Sequence, residues 1–112
     1  PFSRLVGTAA AQDVLTDTSI AGFAQSVELA AVAAYEAAAP ALSGDVLAVA
    51  ELFLSHHQDH ADAFGAVAGD DAWPEPNPAL VEAVTPTLQA VSDAVARGQD
   101  VTTDLLRFAK VV

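Results

Sequence analysis

A chain of 112 residues has room for one small domain built around one core. Its formal net charge of −11, with Arg4, Arg97, Arg107 and Lys110 as the basic residues, argues against nucleic-acid and anionic-membrane partners. With no cysteine, disulfides, thiolate metal sites and thiol catalysis are excluded.

Hydrophobic residues nevertheless make up 53% of the chain against 17% charged, and much of the excess is alanine. Alanine-rich helices pack closely and need neighbours to complete their burial. The longest apolar run, from Leu29 to Leu42, is short for a bilayer and contains Glu36 and Pro40, so no membrane span is expected. The chain starts at Pro1 and has no methionine, so a processed or trimmed product is expected, with any export signal outside it.

In chain order, the pattern predicts helices and little else. Residues 1–17 form a lead-in, with a short helix from Arg4 to Leu15 as a weak pattern. Thr16, Asp17, Thr18 and Ser19 supply N-cap residues for a helix over 18–39, which Pro40 stops by disfavouring helical geometry in the residue before it. Ser43-Gly44-Asp45 caps a second long helix over 45–68, closed by Gly69. The short connection makes the two antiparallel neighbours. Residues 69–77 read as a proline-bearing acidic loop with Trp73 covering the bundle end. Asn77-Pro78 opens a third helix over 78–97, bent near Pro86 and ended by Gly98. Residues 102–112 start a further helix, in which Leu105, Leu106, Phe108, Ala109, Val111 and Val112 form an apolar pattern without a closing cap. Continuation of the chain, or cover by a partner, is expected there.

All three histidines lie in the second helix, as His56-His57-Gln58-Asp59-His60, among Ala, Val, Leu and Phe. At ~100° per residue His57 and His60 stand about 60° apart on the apolar stripe, while His56 flanks them. On the first helix Ala24, Glu28, Ala31, Tyr35 and Ala38 share a face. In a hairpin turning near Ser43, Glu28, His57 and His60 all stand about 20–26 Å from the turn, so they can meet at one level. Tyr35 lies one to two turns nearer the turn and could serve as a hydrogen-bond partner behind them. Taken singly, such histidines often only hydrogen-bond within a core, and a lone glutamate is usually solvated. The shared level is what makes Glu28, His57 and His60 candidate metal ligands. Elsewhere, the segment Asp70–Glu75 lacks the ligand spacing and glycine of a calcium loop. No glycine-rich phosphate loop or serine nucleophile with a base is present.

The segment from Val27 to Tyr35, followed by His56-His57-Gln58-Asp59-His60-Ala61-Asp62, resembles the first two core helices of the ferritin-like superfamily. The likeness is closest to extracytoplasmic bacterial ferritin-like domain proteins. The resemblance implies an all-α, up-down helical bundle with a long antiparallel helix hairpin, in which the third helix is the crossover and later core helices are partial or missing. In that superfamily the first helix carries a metal-bridging Glu with a Tyr seven residues on, matched by Glu28 and Tyr35. The second carries Glu-x-x-His; His60 matches its histidine, but His57 stands where the glutamate is expected. That departure removes one bridging carboxylate.

What the resemblance implies for function is metal binding with an iron-handling or oxidase role. The bound ion would be iron, mono- or dinuclear, with manganese or zinc as alternatives. Glu28, His57 and His60 form a two-histidine, one-carboxylate set, and a second chain or further helices could supply another half-site. The competing expectation is a metal-free structural or interaction subunit that has lost the redox site. Beyond the metal ion, the expected partners are a second copy or another protein chain. Export from the cytoplasm is an expectation of the resemblance alone.

Overall fold

The computed structural model describes residues 16–99 and 109–110 of the chain. It is all-helical, and no strand occurs among the described residues. Helix α1 spans Asp17–Ala38, α2 spans Gly44–Ala68 and α3 spans Pro78–Ala96. The expected lead-in helix, and all of the expected 102–112 helix except Ala109 and Lys110, which are helical, lie outside the described residues.

Each boundary has a local chemical cause. Thr16 is the N-cap of α1, its hydroxyl accepting the Ser19 amide at 3.3 Å, and Asp17 places a carboxylate in the positive first turn. Pro40 ends the helix as expected, but through a single 3-10 turn over Ala39–Ala41 that Leu42 closes by donating to the Ala39 carbonyl. Ser43 holds an extended backbone ahead of α2, but its hydroxyl makes no capping bond, so chain geometry starts this helix. Gly69 ends α2 at φ 55, a left-handed value that costs a side-chain-bearing residue. Asn77 caps α3, its side-chain oxygen accepting the Ala79 and Leu80 amides at 3.1 and 3.2 Å, and Pro78 follows where no N–H is needed. The helix continues through Pro86 to Ala96, and the Thr85 hydroxyl just before the proline donates back to the Val81 carbonyl.

The three helices pack unequally. α1 and α2 form the long hairpin, and α3 begins beside Ser26, whose carbonyl accepts the Asn77 amide at 2.9 Å. From there Val84 and Val91 enter the same core as Ala34, Tyr35, Ala38, Leu42 and Ala50, so α3 runs with α1 and against α2. Val46, Leu47, Phe53, Leu54, Leu80 and Leu88 pack around this core. The fully buried residues of α2 are three alanines, Ala50, Ala61 and Ala68, which let the hairpin helices approach closely.

Far from the turn, the hairpin is joined by backbone proximity and hydrogen bonds instead. Gly22 lies so close to the Asp71 carbonyl that a Cβ there would overlap it, and Gly65 leaves room for the Gln25 side chain. Gln25 in turn accepts the Trp73 backbone amide at 2.8 Å. The Trp73 ring does not cap the bundle end as expected. It packs edge-on against Phe23 of α1, 6.3 Å between centroids, because the Gln25 bond holds the loop along the flank of that helix. No described helix is long and apolar enough to cross a membrane.

Candidate metal centre

Glu28 sits midway along α1, and His57 and His60 lie one turn apart on α2. The antiparallel hairpin brings all three to one level, as helical rise requires. The Nδ1 atoms of both imidazoles converge on one carboxylate oxygen, Glu28 Oε1, at 2.7 Å from His57 and 3.2 Å from His60. One ligand atom from each residue lies within 4.8 Å of the others, and this is the grouping of metal-binding side chains found among the described residues.

Tyr35 closes the inner side. It is 2% exposed, its ring stacks on His57 at 5.7 Å with 21° between planes, and its edge meets Phe53 at 6.0 Å. The contact between Tyr35 and the site is a ring stacked on the His57 imidazole, which supports the plane of that ring. Burial pushes the Tyr35 hydroxyl above its ordinary pKa, since the phenolate would lose its hydration. The His57 and His60 rings are perpendicular, at 89°.

Burial across the trio is graded. His57 and Glu28 are 20% and 19% exposed, whereas His60 is 61% exposed. His60, although it lies on the apolar stripe of α2, therefore forms the outer rim. The reason lies in the core that α3 forms along α1, which takes in Tyr35 and, at its edge, Phe53 but does not extend to His60. His56 is exposed on the same side of α2 and stays outside the Glu28 group, in keeping with its flanking position in the sequence.

The spacing can be compared with what an ion requires. Two donors each about 2.1 Å from a metal stand ~3 Å apart when cis on a six-coordinate ion and ~3.4 Å apart on a tetrahedral one. The contacts of 2.7 and 3.2 Å bracket the six-coordinate value. Side-chain adjustment within the group, whose ligand atoms all lie within 4.8 Å of one another, would let Glu28, His57 and His60 share an ion, with solvent access on the His60 side. In the absence of an ion the same oxygen accepts hydrogen bonds from the imidazoles, so the carboxylate is never left buried without a partner. The donor set, one hard oxygen and two borderline nitrogens, suits divalent iron, manganese or zinc.

Sequence reasoning did not find Gln25, which ties the Trp73 loop to α1 beside the site. A glutamine on a mostly apolar helix face was its only signal. No protein-family model, curated protein or solved structure matches the chain, so the ferritin-like resemblance stands on the residues of these two helices alone.

Proposed function

We propose that this chain is a metal-binding helical protein of ferritin-like type, with Glu28, His57 and His60 as ligands of a single ion. The observation that carries this reading is the convergence of two imidazole nitrogens from α2 on one carboxylate oxygen of α1. Two histidines and one carboxylate with open positions form the ligand set of mononuclear non-haem iron sites, so iron comes first and manganese or zinc follow. When bound there, iron would supply one-electron chemistry toward dioxygen or peroxide, the basis of an oxidase or iron-handling role. The residues' own contributions are narrower. Glu28 balances the ion's charge, and Tyr35 holds the His57 ring and keeps water from its inner face. His60 closes the outer edge while leaving solvent access. A dinuclear centre needs carboxylates beyond this trio, from another part of the protein or a second copy.

The reading is tested by anaerobic Fe(II) titration with metal analysis. One ion per chain is expected, with binding weakened at least ~10-fold in Glu28→Ala and in His57→Ala. Unchanged binding in the Glu28→Ala/His60→Ala double variant would sink it.

A second reading, a structural or interaction subunit without redox chemistry, is favoured by a different observation. Ile20, Phe23, Phe64 and Val67 are exposed beside the site, and apolar faces of this kind mark interaction surfaces. Wild-type protein that carries no metal under any loading condition, yet self-associates or holds another chain, would favour it.

A further inference from the structure

The geometry points to a second metal position on the surface of α2, formed by His56 together with His60, the residue it shares with the Glu28 group. At ~100° per residue the two side chains stand about 40° apart on the helix. Residues four apart have Cβ atoms about 5–6 Å from one another, the spacing at which two imidazoles chelate one ion in H-x-x-x-H helices. Both residues are exposed, so an ion reaches them without any opening of the fold.

The ring of His60 decides which nitrogen faces outward. Its Nδ1 lies 3.2 Å from Glu28 Oε1. With Nδ1–H donated to that carboxylate, the neutral ring carries its free lone pair on Nε2, the nitrogen not engaged by Glu28, in a side chain that is mostly exposed. A carboxylate behind a histidine in this manner fixes the tautomer and makes the outer nitrogen a better donor. Glu28 thus acts at this position as an orienting group and not as a ligand.

The ion that fits is a divalent transition metal with a strong preference for imidazole nitrogen, Cu²⁺ first, then Ni²⁺ and Zn²⁺. A net charge of −11 raises the concentration of such cations near the surface. A neutral His60 offers one lone pair at a time, so an ion held through Nδ1 with Glu28 and an ion held through Nε2 with His56 exclude each other. The outer position stands without the inner one, because it needs from Glu28 only the hydrogen bond already present.

Calorimetric titration with Ni²⁺ tests the proposal on His57→Ala protein, which lacks the complete inner ligand set, and on the His56→Ala/His57→Ala double variant, with histidine ¹⁵N spectra recorded at saturation. The His57→Ala protein binds one ion, and adding His56→Ala weakens binding at least ~10-fold. The His60 Nε2 resonance, not Nδ1, moves to the metal-bound position. Equal affinity in the two variants, or no Ni²⁺ binding by the His57→Ala protein, would overturn it. The outcome separates from that of the Fe(II) titration: Ni²⁺ bound through His56 with no Fe(II) bound leaves the surface chelate standing and removes the inner site.

Discussion

The two halves of the hairpin are held by different physics. Near the turn, α3 packs along α1, and Tyr35, Leu42, Val84 and Val91 are buried together in a core that Ala50 of α2 joins. Toward the other end the same hairpin leaves Phe23 at 53% and Val67 at 62% exposure. There the helices and the loop are joined by polar contacts: Thr18 to Asp71, Gln25 to Trp73, and Asn77 to Ser26 through both backbone and side chain. Glu28, His57 and His60 stand at the boundary. One side of the trio is fixed by packing against Tyr35, and the other is open. A ligand set needs both, rigid support behind it and access in front.

This contrast can be broken from the packed side first. Tyr35→Ala removes the largest side chain of the core and is expected to cost about 3 kcal/mol or more, read as a lowered urea midpoint. A loss under ~1 kcal/mol would mean that the two halves are packed alike.

On the polar side, Asn77→Ala deletes the cap of α3 and the side-chain bond to the Ser26 hydroxyl in one change, leaving the backbone bond to Ser26 in place. It should lower stability by about 1–2 kcal/mol. Asn77→Asp keeps the capping oxygen and should restore most of that loss. If the aspartate is as damaging as the alanine, the cap is not what matters at this junction.

The alkaline limb of stability reports on the same core. Tyr35 is the only tyrosine, so tyrosinate absorbance follows one group. Its folded-state pKa is raised by burial, so it holds its proton more tightly folded than unfolded. Its contribution to stability is therefore fully present below about pH 10 and is lost as pH rises through the folded value. Titration at or below the free tyrosine value in the folded protein would show that the ring is not shielded. The smallest effect belongs to the open face: Val67→Ser should change stability by less than ~0.5 kcal/mol, since its side chain is already in water. A larger loss would place that face in an interface.

Much of this layout was legible in the sequence, and the exceptions share a cause. α1 and α2 fall within one residue of their expected limits because Thr16, Pro40 and Gly69 act locally. The meeting of Glu28 with His57 and His60 was legible because helical angle and rise from a short turn are fixed quantities. The exposure of His60 was not, because it depends on where α3 crosses the hairpin, and no local signal sets that. Likewise, Tyr35 faces the site as expected, but the stacking of its ring on His57 comes from tertiary packing, in which Phe53 also takes part. The Gln25–Trp73 bond joins residues 48 apart through a loop whose path the residues do not specify.

The central claim is that Glu28, His57 and His60 hold one ion, and paramagnetic Mn²⁺ added to ¹⁵N-labelled protein tests it most directly. At low Mn²⁺ the account predicts that amide signals around Glu28 in α1 and around His57–His60 in α2 broaden first and together, and that Glu28→Gln abolishes this pattern. Broadening that begins at the acidic loop around Asp70 and Asp71, or spreads evenly over the acidic surface, would contradict it.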